Sequence, residues 1–317
     1  MTAASPSAAS RLTAGSGTPS LRHRLADRGI DRVLLLLVPG ILFLLLLFVY
    51  PFLYGLQLSF SPQIDGGQAL MNGYQGPLAN YLYFFGDSYQ RDTIWTTLVI
   101  GLPAALVNVL VSVPIAYRMR GRFRFKRTLT TLLVVPIALG TVLTADGLIE
   151  YLGPAGWLNK ALVDFHVINE PLTLVHNYWG VFFSLVITGF PFAFLLVLSY
   201  LSGIDPNLER AASVMGAGWW ERFRRVTLPL LVPGLAITFC MSFVLAFSVF
   251  PSANLVGDPS GTTRVISIAA YHAAFEQFDY SLGSATSMIM GAVMLAIIAI
   301  VLGWRNTMFR GPAGGKG

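Results

Sequence analysis

Six stretches of about twenty mostly apolar residues recur along this chain, and the short segments between them hold nearly all of its charge. A run of that length crosses the hydrocarbon core of a bilayer as an α-helix, the form in which backbone N–H and C=O groups find partners inside their own segment. The first run extends from Val33 to Val49 and can continue to about Phe60. The others cover roughly Ile94 to Tyr117, Thr128 to Glu150, Tyr178 to Leu201, Pro233 to Val256 and Gly283 to Trp304. Tyr50-Pro51-Phe52 offers no small-x-small cleavage site, so the first run is expected to stay attached as a span. With 11% of residues charged, 55% hydrophobic and a mean hydropathy of +0.65, water is not the main solvent of this fold. The expected class is an all-α membrane protein with six transmembrane helices.

Lys and Arg set its orientation. The N-terminal segment carries five, Arg118 to Arg127 six, Ile204 to Pro229 four and the C-terminal segment three, which is 18 of the chain's 21. The remaining segments hold one each: Arg91, Lys160 and Arg264. By the positive-inside rule both termini and the 204–229 loop are expected in the cytoplasm. Residues 1–32, rich in Ala, Ser, Thr and Gly, read as a disordered cytoplasmic tail, 33–304 as the six-span domain and 305–317 as a second cytoplasmic tail. The net charge of +6 is explained by this topology and calls for no nucleic acid. Outside, Tyr81, Tyr83, Phe84 and Phe85 with Asp87 and Asp92, then Trp157 with Asp164 and Glu170, then Asp258, Glu276 and Asp279, offer either interface anchors or a face for an extracytoplasmic partner.

The segment IDPNLERAASVMGAGWWERFRRVTLP is the one long polar stretch with helical signals. Asp205 can cap a helix that starts at Pro206, where the missing N–H is not needed. Leu208, Ala211, Ala212 and Met215 recur at i, i+3, i+4 and i+7 and make an apolar stripe. Gly216 and Gly218 bracket a turn, after which Trp219 to Arg225 can form a second short helix. Pattern alone leaves two readings: a handle gripped by another protein, or a loop lying on the membrane.

Enzymatic chemistry has no foothold here. There is no G-x-x-x-x-G-K-[ST] phosphate loop, no G-x-S-x-G, and no metal-ligand spacing among His23, His166, His176 and His272. The sole cysteine, Cys240, sits in an apolar run and reads as packing. No cofactor and no metal are expected. Asp146 and Glu150 lie four apart at the outer end of the third span, so they share a helix face. They are either a cation-attracting wall on a solute route or acids close enough to the surface to reach water. Asn108, Ser112, Thr141, Thr144, Thr188, Asn254 and Thr286 are further candidates for such a route. Pro191 should bend or loosen the fourth span. Gly283, Ser287 and Gly291 form a small-xxx-small pattern in the sixth, suited to close packing within the subunit or against a partner.

Ala211, Ala212 and Gly216, closed by Val226, Leu228 and Pro229, resemble the E-A-A loop of the membrane subunits of bacterial ATP-binding-cassette (ABC) importers. Arg210 stands where that family usually has glutamate, with Glu209 one residue earlier. The resemblance runs from about Val33 to Phe309 and is greatest to the spermidine/putrescine-type permeases: Leu37-Val38-Pro39, Tyr50-Pro51, Pro114-Ile115-Ala116-Tyr117, Gly156-Trp157-Leu158-Asn159 and Phe190-Pro191-Phe192 carry it. It implies the type I ABC importer permease fold in a bacterial inner membrane, working with an ABC ATPase dimer, a second permease subunit and an extracytoplasmic solute-binding protein. It assigns ATPase coupling to Leu208, Glu209, Arg210, Ala211, Ala212, Met215 and Gly216, and a polyamine as the solute. Phe278-Asp279-Tyr280 is equally reminiscent of sugar permeases. A secondary transporter, which would show internal repeats, is the alternative of a different class.

Overall fold

The computed structural model of the chain describes residues 32–62, 73–121 and 126–308, and among them there is helix and no strand. The expected tails fall outside the described residues apart from Arg32 and residues 305–308, which are helical. Among the described residues, six helices are long and apolar enough to cross a membrane. Residues through Tyr54 and residues from Gly55 onward form two compact units. In the first, α1 (Arg32–Leu44) passes through a π-helical turn at Leu45–Val49 into α2 (Tyr50–Ser59), whose residues from Gly55 on belong to the second.

In the second unit, short α3 (Ala79–Gly86) precedes α4 (Ser88–Met119), the longest helix, capped by Asp87, whose carboxylate accepts from the Tyr89 N–H at 3.0 Å. Next come α5 (Lys126–Leu152), short α6 (Trp157–Asp164) and α7 (Tyr178–Gly203). After the loop helices α8 (Pro206–Val214) and α9 (Trp219–Arg222), a π-helical turn at Phe223–Thr227 leads into α10 (Leu228–Phe247). Short α11 (Pro251–Leu255) and α12 (Ile266–Tyr271), with a π turn at His272–Glu276, precede α13 (Tyr280–Met308).

Most spans match the expected runs with extra turns at their ends, because apolar periodicity marks the lipid-facing part and helices continue into the interface. The fifth differs: Pro233 to Val256 is expected, whereas α10 starts at Leu228 and stops at Phe247. Proline is tolerated in the first helical turn, so Pro229 does not delay the start. The regular run closes at the Ser248 cap, and Phe250, which precedes Pro251 and is biased away from helical dihedrals, has φ −122° and keeps it separate from the next helix. The break in the bundle is also displaced. α7 runs as one helix through Pro191, whereas α5 contains a non-helical residue, Gly140, with φ 75° and ψ 175°. That conformation is open to glycine and strained for residues with a Cβ. A break at this depth needs protein or a cavity beside it to satisfy the freed groups, and Gly140's carbonyl accepts the Thr144 hydroxyl at 2.7 Å.

α4, α7 and α10 form the centre. One cluster joins Ile100 and Ala104 of α4 to Val181 and Leu185 of α7, Ala246 of α10 and Ile268 of α12. A second, nearer the 204–229 loop, joins Val113, Ala116 and Met119 to Phe194, Val197, Leu201 and Leu231. In lipid such contacts hold by close packing rather than by release of water, which suits the small Ala residues at the crossings. Of the small-residue pattern in α13, Gly283 is used inside the chain: a Cβ there would lie 2.8 Å from the Ala274 Cβ. Gly291 has open space around it.

Candidate functional site: a loop and a cavity

The 204–229 loop is built from its caps inward. Asp205 accepts from the Asn207 N–H at 2.9 Å, Pro206 fills the first helical position, and Glu209 lies in the first turn, where the helix dipole favours an acid. At the other end the Gly216 N–H donates to the Ser213 carbonyl at 3.0 Å and the Ala217 N–H to the Ala212 carbonyl at 3.1 Å. This paired closure needs a left-handed residue, and Gly216 has φ 86°. No heavy atom lies within 4 Å of where a Gly216 Cβ would be, so within this chain the turn, not crowding, restricts the position. The second helix is shorter than expected, ending at Arg222 and merging through the π turn with α10.

α8 divides the expected stripe between two faces. Glu209 and Ala212, three apart, turn inward; Ala212 is 7% exposed. Glu209 Oε1 accepts from Arg120 Nη1 at 2.8 Å and from the Thr227 hydroxyl, while Arg120 Nη2 donates to the Ile204 carbonyl at 2.5 Å. Arg120 directly follows α4 and Thr227 directly precedes α10, so one carboxylate ties the loop helix to the ends of two spans. The Arg120 and Glu209 side chains are 11% and 23% exposed, which shields the pair from water and salt. Tyr117, on α4, packs edge-on against Phe223 at 4.9 Å and near Trp219 at 5.9 Å, closing the same corner. The outward face holds Leu208, Arg210, Ala211, Val214 and Met215; the last is 81% exposed and Val214 90%. Arg210 Nη1 donates to Asn207 Oδ1 at 3.1 Å. Sequence reasoning missed Val214 and Arg120. Val214 falls outside the i, i+3, i+4, i+7 template, and Arg120 is remote in sequence.

Between α4, α5, α7 and α10 lies a cavity of about 470 Å³, within the size range of small-molecule sites. Asn108, Thr141 and Thr188, three of the route candidates, line it together with Gly140, Gly189 and Ser242. None of its lining residues is ionisable. The other expected route residues are elsewhere. Asp146 and Glu150 are exposed on α5 and do not line it, and neither does Thr144. Ser112 and Thr286 are buried and donate to the carbonyls of Asn108 and Leu282, while Asn254 is exposed. Asn108 Nδ2 donates to the Leu185 carbonyl at 3.2 Å, and a Cβ on Gly189 would come within 2.4 Å of that nitrogen. The absent side chain is what admits the Asn108 amide.

At the opposite end from the loop, Arg264 stacks over the Tyr89 ring, 3.8 Å from its centroid. Burial pushes its guanidinium below the usual value, and Tyr89 and Asp87 pull the other way.

Residues 11–310 match the family described as binding-protein-dependent transport system inner membrane component. A probable sulfate transport system permease protein of Prototheca wickerhamii is 28% identical over 212 residues, 67% of this chain and 80% of that protein. The spermidine/putrescine transport system permease protein of Haemophilus influenzae is 29% identical over 189 residues, 59% and 66% of the two chains. A chain from the crystal structure of a bacterial ABC transporter that imports the acidic polysaccharide alginate superposes with a TM-score of 0.72 over 92% of this chain and 99% of that one, at 20% identity.

Proposed function

The chain belongs to the family of binding-protein-dependent transport system inner membrane components and is a type I ABC importer permease, not an enzyme; on that premise we propose that it passes a small polar solute inward, driven through the 204–229 loop. The observation that carries the loop's role is the division of α8: the inward carboxylate is spent on Arg120 and Thr227, which leaves Leu208, Arg210, Ala211, Met215 and the Gly216 turn free to enter a groove of the ATPase. When the ATPase dimer closes it carries α8, and the Glu209 link passes that displacement to α4 and α10, which move as rigid bodies against their neighbours. Arg210, in the position usual for glutamate, presents a cation to the ATPase. The charge distribution supports a cytoplasmic loop and cytoplasmic termini, with the Arg264 end facing the solute-binding protein. A second permease, identical or not, completes the membrane assembly.

For the solute, the polyamine reading is supported by the relative named for spermidine and putrescine. It requires Asp146 and Glu150 to reach the route from their exposed face of α5. A sugar requires no such acids, and the uncharged lining of the cavity favours it. The loop assignment is tested with Val214→Cys in a Cys240→Ala background: a membrane-impermeant thiol reagent should reach it only from the cytoplasmic side, and addition of the ATPase should protect it. Labelling from outside would end the proposal.

A further inference from the structure

Two residues that line the cavity between α4, α5, α7 and α10 each carry a buried polar atom with no hydrogen-bond partner within the chain. Asn108 is 1% exposed and Ser242 2% exposed, and neither Asn108 Oδ1 nor Ser242 Oγ has a hydrogen bond. Leaving such groups unpaired costs free energy, and in a transporter the missing partner is naturally a passing solute. Ser242 stands apart from other helix hydroxyls in this bundle. Thr144, Thr188, Thr238, Ser248 and Thr286 each donate to the carbonyl four residues back, the usual way a hydroxyl is satisfied inside a membrane helix. Ser242 does not, so both its proton and its lone pairs are unspent.

The polarity of the lining follows. Asn108 spends one N–H on Leu185, which fixes the amide orientation and leaves Oδ1 as an acceptor. Thr188 and Ser248, also on the wall, have spent their protons on their own helices and turn lone pairs to any guest. Acceptors outnumber free donors, and no Lys, Arg or His lines the space. Beyond the Ser242 and Thr141 hydroxyls, an oxyanion, which offers only lone pairs, would meet lone pairs and no cation.

We propose that this cavity is a solute subsite in which Asn108 Oδ1 and Ser242 Oγ bind guests that present O–H or N–H donors, a polyol or an amine, and that it rejects oxyanions. The proposal rests on the importer reading and narrows its solute.

The test uses the assembled importer in liposomes, with Leu245→Cys as a reporter on the cavity wall in a Cys240→Ala background. The rate of modification by a small methanethiosulfonate reagent is measured alone and with maltose, sorbitol, spermidine, sulfate or molybdate. Slower modification by a sugar, polyol or spermidine, with none by sulfate or molybdate, is the expected result, and the guest that protects tells O–H from N–H donors. Asn108→Ala and Ser242→Ala should each weaken that protection about two- to tenfold, the worth of one hydrogen bond. Protection by an oxyanion, protection by none of the five, or protection unchanged in both variants overturns the proposal. ATPase binding to the loop, measured on the same preparation, keeps a failure here distinct from a failure of the importer reading.

Discussion

In the 204–229 loop, Glu209 is held by Arg120 and Thr227, Asp205 by the start of its own helix, and Gly216 closes the other end with two backbone bonds. On the cavity wall, Asn108 Oδ1 and Ser242 Oγ are buried and find no hydrogen-bond partner within the chain. The loop is a finished part whose shape exists before any partner arrives, as a lever must be if motion is to pass through it undiminished. The cavity is unfinished, as a passage must be if a guest is to be attracted and then released.

The loop side of this contrast is most exposed to Gly216→Asp. Aspartate and asparagine tolerate the left-handed conformation better than other residues with a Cβ, for which it costs about 1–2 kcal/mol. Gly216→Asn should therefore keep most of the coupling, while Gly216→Asp places a carboxylate on the docking face and should lower solute-stimulated ATP hydrolysis at least about tenfold, the effect of 1.4 kcal/mol. Equal losses in both variants would mean that the turn matters and the face does not. The next largest effect belongs to the link. Arg120→Ala and Glu209→Ala each leave one charge unpartnered in a mostly enclosed corner. Removing one member of a fully buried pair costs about 3–5 kcal/mol, and the residual exposure here reduces that. A double-mutant cycle on thermal unfolding of the solubilised importer should give a coupling of about 1–3 kcal/mol. Additive losses would show that the two residues act separately and that α8 is not tied to α4 through them.

How far these two regions can be read from sequence differs for the same reason. The ends of α8 are legible because Asp205, Pro206 and Gly216 act on their immediate neighbours. Which face of α8 turns inward is not, because it depends on Arg120, 89 residues before Glu209. Asn108 and Thr188 can be singled out as polar residues in apolar runs, yet nothing local shows that they meet or that Asp146 and Glu150 stand apart from them. Local sequence points to Pro191 rather than Gly140 for the break because proline is the stronger local signal, whereas α7, packed through Phe194 and Val197, keeps its helix through it. Ser242 has no local signature. Its distinction is a bond it does not make.

Within the cavity, Gly189→Ala should press on the Asn108 amide and displace it, an overpacking that typically costs about 1–3 kcal/mol. Uptake should fall several-fold while ATPase copurification is unchanged, which separates the cavity from the lever. A parallel loss of copurification would merge the two regions and remove the contrast.

The smallest effect is expected from Asp146→Asn and Glu150→Gln. If the solute is recognised by neutral acceptors, neutralising two exposed acids that do not line the cavity should change uptake less than about twofold, within the usual span for substitutions away from any packed or bonded feature. The measurement is initial uptake in proteoliposomes supplied with the binding protein, using whichever probe protects Leu245→Cys. Were spermidine that probe and uptake to collapse in the double variant, the acids would stand on the route, supplying from the exposed face of α5 the counter-charge that the cavity lacks. The solute would then be gripped in two stages, by charge at the acids and by neutral acceptors at Asn108 and Ser242, and the unfinished region of the molecule would extend beyond the cavity to the outer half of α5.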